Sequence, residues 1–288
     1  MSLSDKTNVP AEDLVRELAA GSTWLVKQLD AARVERVVIG LSGGIDSAVS
    51  ATWAARALGP ARVTAVAMPY GLLRASRFPP SAPTSLEHAR VVASSLAGID
   101  YREIDIASTV DAEVEATGLA DELLVAPQHD GLRLALANVK ARVRAVRLRY
   151  FANRLHGLLL GTENKTEHYL GYFTIGGDEE SDLELLGNYL KAEVFSLAHA
   201  LNVPREIVEK PPSADLWTGQ TDEGELGFTY ADADHVLHLS DCETELSPEA
   251  AARCAVGPEV AEQVLSRVRA TAFKRAAKPV FPRRTSSL

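Results

Sequence analysis

With 288 residues, 46% of them hydrophobic and 24% charged, the chain is long enough to bury a full core and reads as an ordinary soluble globular protein. Its net charge of -9 argues against broad nucleic-acid binding, which needs clustered Lys and Arg, so a polyanionic nucleotide would require local cations or a metal. The polar, mixed-charge N-terminus and the lack of any apolar run near the roughly 20 residues that span a bilayer argue against export and membrane insertion. Cys242 and Cys254 form no CxxC pair and no metal-ligand spacing, which predicts reduced thiols and a cytoplasmic location.

After Pro10, residues 11–32 place Leu14, Leu18, Trp24, Leu25 and Leu29 near helical spacing and predict a first amphipathic helix. Residues 36–41 form a short apolar run closed by glycines, and residues 45–58 read as an Ala-rich helix ending at Gly59-Pro60. Short apolar or alternating runs recur at residues 62–68, 101–106 and 157–161, separated by helical sequence. This alternation predicts an α/β fold in which an open parallel sheet carries helices on both faces. Residues 132–155 read as a long helix whose Lys140, Arg142, Arg144, Arg147, Arg149 and Arg154 form, for the most part, a solvated cationic face. Residues 74–85, with Pro79, Pro80 and Pro83, and residues 176–182 and 211–227 read as mobile loops of the kind that close over ligands. One domain is expected over residues 1–275, with residues 276–288 as a tail. The histidines are dispersed, and His235 and His238 lie one helical turn apart without an HExxH signature, so no metal site is expected from them.

The chemistry concentrates at Gly40-Leu41-Ser42-Gly43-Gly44-Ile45-Asp46-Ser47, between the first strand and its helix. Gly43 and Gly44 allow a tight turn that brings bare N–H groups near an anion, and the helix N-terminus adds the positive end of its dipole. Ser42 and Ser47 can donate further hydrogen bonds, and Asp46 in the first helical turn can hold a divalent cation that bridges phosphate oxygens. A GxxxxGK[ST] loop would need a lysine where Asp46 stands, and the GxGxxG fingerprint has another spacing.

The SGGxDS core resembles the pyrophosphate loop of the N-type ATP pyrophosphatases, which cleave ATP between the α and β phosphates. Asn138-Val139-Lys140-Ala141-Arg142 is similar to the N-x-x-A-R segment of the NAD synthetase family, and Gly161-Thr162-Glu163-Asn164-Lys165-Thr166-Glu167 to its GTxNxxE segment. Gly171-Tyr172-Phe173-Thr174, Gly177-Asp178, Lys191, Lys210-Pro211-Pro212-Ser213-Ala214-Asp215-Leu216-Trp217 and Gly219-Gln220-Thr221-Asp222-Glu223 follow in the family's order.

The resemblance implies an adenine nucleotide alpha hydrolase-like (Rossmann-like) fold and ATP-dependent amidation of deamido-NAD with ammonia through an acyl-adenylate. It implies Mg2+ on Asp46 and Glu167, a catalytic set of Asp46, Glu167 and Lys191, and ATP on the loop residues 40–47 with Thr162, Lys191 and Ser213. It places deamido-NAD on Arg142, Asp182 and Lys274, and it implies a homodimer that binds neither nucleic acid nor membrane. Taken singly, Glu167 or Lys191 is more often a solvated helix residue and Ser213 a turn residue; the ordered set carries the reading. Ile175 stands where the family has a lysine, and Phe273 where it has the histidine of His-Lys-Arg, so the ATP half matches better than the acceptor half. With no glutaminase-sized segment beside the ligase region, free ammonia is the expected nitrogen donor, a separate glutaminase subunit remaining open. A paralogue that amidates another carboxylate, or a nucleotide-binding protein without ligase activity, stays as an alternative.

Overall fold

The computed structural model describes residues 11–118, 120–125, 130–213, 221–240 and 245–277. In chain order the elements are α1 (Ala11–Ala32), β1 (Val37–Gly40), α2 (Ile45–Leu58), β2 (Val63–Ala67), α3 (Pro83–Ser95), β3 (Asp100–Glu103), α4 (Ala107–Ala116), α5 (Ala120–Val125) and α6 (Asp130–Arg154). They continue with β4 (Leu158–Gly161), α7 (Lys165–Leu170), β5 (Leu183–Glu184), α8 (Lys191–Ala200), α9 (Arg205–Val208), α10 (Asp222–Leu226), α11 (Tyr230–Leu239), α12 (Pro248–Arg253), α13 (Pro258–Ala270) and α14 (Ala272–Arg275).

The strands form one open sheet in the order β3-β2-β1-β4-β5, every pair parallel, as the alternation of runs predicts. Successive strand residues point to opposite faces. Val37, Ile39, Val63, Ala65 and Leu160 therefore pack with α1, α2 and α8, while Val38, Val66 and Leu159 pack with α4 and α6 on the other side. On the first face α1 lies flush on α2: a Cβ at Gly21 would come 2.2 Å from the Trp53 ring, whose Nε1 donates to Leu18 O at 3.1 Å. A third apolar cluster joins α7, α11 and α13 through Leu170, Val236, Leu237, Val264 and Val268. Because β2 and β4 flank β1 on opposite sides, the crevice beyond the carboxyl ends of β1 and β4 is the switch point at which open α/β sheets bind ligands.

As expected of loops, residues 74–82 and 176–182 carry no helix or strand, while Pro83 already opens α3, where its missing N–H costs nothing. Asp105 accepts N–H bonds from Gly71, Leu73 and Arg74 at 3.3, 2.8 and 3.3 Å, and Ser81 N donates to Tyr70 O at 2.8 Å. Residues 174–180 form a tight turn, with Thr174 N donating to Asp178 Oδ1 at 2.9 Å and Gly176 N to Glu179 Oε1 at 2.8 Å. Of 211–227, residues 214–220 lie outside the described residues, and α10 occupies part of the rest.

One expectation is corrected: the basic side chains of α6 are mostly not a solvated face. Lys140 is only 3% exposed, its Nζ 4.2 Å over the Tyr70 ring, and burial, with Arg144 adding, lowers it to about 8. Arg144 donates to Met68 O at 3.1 Å, Arg147 to Thr109 Oγ1 at 2.8 Å, and Arg149 grips Asp182. These partners are far away in sequence, so local charge patterning could not reveal them. Among the described residues no helix is long and apolar enough to cross a membrane.

The edge strand β5 buries a carboxyl. Glu184 presses on the Gly161 backbone, where a Cβ would lie 1.7 Å from its Oε1, and Ser181 Oγ donates to it at 2.8 Å. Burial pushes Glu184 up to about 8, against the Ser181 bond and with Glu163 adding. Since the folded carboxyl holds its proton more tightly than the unfolded one, its contribution is full below about pH 4.5 and is lost as pH rises to about 8. Glu184→Gln should therefore gain about 4 kcal/mol on the parent between pH 5 and pH 8.5, an order-of-magnitude figure. Thermal denaturation of both proteins at the two pH values checks this; an unchanged difference would show that Glu184 is not titrating as described.

Candidate functional site

The turn between β1 and α2 is shaped by backbone. Gly43 has a φ of 81°, and a Cβ there would stand 2.2 Å from Ser85 O, so the loop and the start of α3 can approach only because this residue is glycine. Gly44 is the N-cap of α2 and offers no side-chain cap. The serines brace the turn: Ser42 Oγ lies 3.0 Å from Ser47 Oγ and accepts Gly44 N–H at 3.2 Å, while Ser47 Oγ donates to Gly44 O at 2.9 Å.

Beyond β4, Asn164 caps α7 in a reciprocal box: Glu167 N donates to Asn164 Oδ1 at 3.0 Å and Asn164 N to Glu167 Oε2 at 3.5 Å. Its Nδ2 also donates to Asp46 Oδ1 at 2.9 Å, so one buried amide ties α7 to the turn after β1. Asn-x-x-Glu is itself the sequence signature of such a cap, which is the local signal by which Asn164 could have been found. At the start of α8, Lys191 N donates to Thr166 Oγ1 at 3.0 Å. Asp234 of α11 accepts from both Thr166 Oγ1 and Ala192 N, locking the two helix starts together; burial raises Asp234 to about 6 despite these bonds.

The result is a charged cluster. Lys191 Nζ lies 2.6 Å from Asp46 Oδ2 and 2.8 Å from Glu167 Oε1, and the lysine side chain is 2% exposed. Burial opposes its charge, but Asp46 and Glu167 outweigh burial and hold the ammonium above the usual lysine range. Glu167 is shifted upward by burial and then by Asp46, with Lys191 opposing. Tyr230 stands beneath the cluster, its ring 4.9 Å from Lys191 Nζ. Among the described residues no group of three or more His, Cys, Asp or Glu side chains could hold a metal, so Asp46 and Glu167 are two carboxylates and not a complete metal cage.

A cavity of about 600 Å³ opens over this cluster. Gly40, Leu41, Ser42, Gly44, Ile45, Asp46 and Ser47 line it, as do Thr162, Glu167, Lys191, Ser213 and Lys274; Gly43 packs against Ser85 instead. Arg142 and Asp182 are not brought into it. Arg142 Nε donates to Ile175 O at 3.2 Å, and Asp182 is bonded by Arg149 Nη1 at 2.7 Å and by Leu159 N at 2.8 Å, joining α6 to the sheet edge. Lys274 Nζ donates to Gly171 O at 2.7 Å and to Phe173 O. Ile175 and Phe273 are exposed, at 44% and 68%.

The sequence profile of the NAD synthase family matches residues 17–278. The chain is 41% identical over 216 residues to the NH(3)-dependent NAD(+) synthetase of Methanosarcina acetivorans, which covers 75% of this chain and 78% of that protein. Against the NH(3)-dependent NAD(+) synthetase of Trichlorobacter lovleyi the identity is 38% over 264 residues, covering 91% of this chain and 88% of that one. Among solved structures, that of NMN synthetase from Francisella tularensis superimposes with a TM-score of 0.76 at 30% identity, over 95% of this chain and 100% of that chain. A glycine loop and a carboxylate–lysine–carboxylate cluster at the switch point, together with likeness over nearly the whole length, lead to one conclusion: the chain belongs to the NAD synthase family.

Proposed function

We propose that the chain amidates deamido-NAD to NAD with ammonia and ATP, releasing AMP and pyrophosphate. The observation that carries this reading is the meeting of the Gly40–Ser47 turn with Asp46, Glu167 and Lys191 in one cavity, beside relatives that are NH(3)-dependent NAD(+) synthetases. A carboxylate does not react with ammonia, so the nicotinate oxygen first attacks the α-phosphorus of ATP and the bond to the β-phosphate oxygen breaks. Ammonia then attacks the acyl carbon, loses a proton, and AMP leaves with the C–O bonding pair. In this reading the turn and the N-terminus of α2 back the phosphates, and Lys191, held charged by its two partners, adds a fixed positive charge where negative charge shifts onto the leaving pyrophosphate.

Two carboxylates without a third ligand suit magnesium, which keeps several waters and shares its remaining positions with substrate phosphates. Asp46 and Glu167 would hold it, and when bound it neutralises charge on the departing pyrophosphate. In this reading residues 1–275 act as one catalytic unit with residues 276–288 as its tail, the chain works as a homodimer in the cytoplasm, and Arg142, Asp182 and Lys274 face the acceptor once it is bound.

A second acceptor is favoured by a particular observation. The exposed Ile175 and Phe273 offer no charge to a second phosphate-linked nucleoside, and the Francisella tularensis relative is an NMN synthetase. Nicotinate mononucleotide is the corresponding acid. Pyrophosphate release with ATP, magnesium and ammonium should be followed with each acceptor in turn, and the products identified by mass. NAD and AMP in step with pyrophosphate are expected. Turnover confined to the mononucleotide would replace the dinucleotide reading, and ATP binding without turnover of either would overturn both.

A further inference from the structure

We infer that Tyr230 is a positioning residue for Glu167, with Asp222 of α10 governing how firmly it holds. Tyr230 is 0% exposed, yet its hydroxyl points into the charged cluster and not into apolar packing. It lies 3.1 Å from Asp222 Oδ2 and 3.5 Å from Glu167 Oε1. One phenolic proton serves only one acceptor at a time, so the two carboxylates compete for it. Asp222 is itself buried, and the Tyr172 hydroxyl lies 3.1 Å from its Oδ1 but 2.5 Å from Glu225 Oε2. The Tyr172 proton is shared between two carboxylates, so it relieves only part of the demand that Asp222 makes on the Tyr230 proton.

The geometry on Glu167 is one-sided. Lys191 and Tyr230 both meet Oε1, whereas among the described residues Oε2 accepts the 3.5 Å bond from Asn164 N alone. The carboxylate is pinned through one oxygen and weakly held through the other. The Tyr230 ring, under Lys191 Nζ, also keeps that ammonium in place. Removing a partner that orients a cation ligand from behind typically costs about 10–100-fold in cation affinity or activity.

This inference rests on the proposal that Asp46 and Glu167 hold a divalent cation with the nucleotide. The test is Mn2+ binding by titration calorimetry in the presence of a non-hydrolysable ATP analogue and without acceptor, on the whole chain. Tyr230→Phe keeps the ring and removes the hydroxyl; roughly tenfold weaker Mn2+ binding is expected. The magnesium concentration for half-maximal pyrophosphate release should rise in parallel, with most of the lost turnover recovered at saturating magnesium. The Tyr172 side chain bonds none of Asp46, Glu167 and Lys191, and Tyr172→Phe leaves Asp222 drawing harder on the Tyr230 proton; weaker Mn2+ binding is expected, by less than for Tyr230→Phe. This second variant keeps the test open if the first does not fold. Parental Mn2+ affinity in the variants that fold overturns the inference, as does a loss of melting temperature and turnover with unchanged metal dependence. If the parent shows no Mn2+ binding that Asp46→Asn abolishes, the magnesium reading itself fails, an outcome distinct from the other two.

Discussion

Asp46→Asn is expected to lower magnesium-dependent pyrophosphate release by roughly 10²–10³-fold, the loss typical of removing one preorganised charge-stabilising group, without lowering the melting temperature. The structure separates these two outcomes. Asp46 is tied through Oδ1 to Asn164 at 2.9 Å and through Oδ2 to Lys191 at 2.6 Å, so an amide can keep one of the bonds and the local shape. Its charge acts in two opposed ways, as the largest cause after burial of the upward shift at Glu167 and as the largest support of the Lys191 ammonium, so its removal leaves one carboxylate still paired with the lysine. Neutralising it relieves that repulsion while removing one of the two carboxylates available to a cation, a stability–function conflict common at active sites. Pyrophosphate release in a pure preparation, together with a thermal melt, checks both halves. Near-parental turnover would remove Asp46 from the catalytic set, and a collapse of the fold would make it structural.

Lys191→Met should have the opposite profile in stability and the same direction in activity. Removing one partner of a buried ion cluster leaves uncompensated charge and typically costs about 3–5 kcal/mol. Here two carboxylates would be left facing each other, with Asn164 and Tyr230 as their remaining donors. The pH dependence follows from the direction of the shift at Glu167. Its carboxyl is already raised with Lys191 opposing the rise, so without the lysine it rises further and the folded state binds the proton more tightly than the unfolded chain. The deficit of the variant is then smallest below the ordinary carboxyl range and grows as pH climbs. Melting temperatures at pH 5 and pH 8.5 test this. A deficit equal at both values would mean that Lys191 contributes by packing and not by charge.

The turn and its flanking elements were legible because they are local. An apolar run, two glycines and an Ala-rich segment predict a strand, a turn and a helix over residues 45–58, where α2 is found. The first helix over residues 11–32 matches α1 for the same reason, although Trp24 turns partly outward while Leu25 and Leu29 reach the core. The edge strand β5 was missed: two residues carry no period, and Leu183 and Glu184 become a strand only by bonding to β4. The gathering of Asp46, Glu167 and Lys191 was reached by resemblance, since no local pattern links residues this far apart. Asp222, Tyr230 and Asp234 had no individual role in the sequence reading, because each acts on residues of other helices. For Asp182 the reading implied a substrate contact, whereas in the structure Arg149 holds it, a bond 33 residues long in sequence.

The separation of these partners bears on how the molecule comes into being. The glycine turn is made of residues between β1 and α2, but Asp46 meets Asn164 across 118 positions and Lys191 across 145. A growing chain therefore carries the turn long before it carries the cation and the second carboxylate. Contacts of such sequence span form late and slowly, because the intervening loop must be closed first. Nucleotide binding is thus a property of the finished sheet, acquired when α7 and α8 dock beside β1, and ATP added during refolding would select chains that have completed that last step.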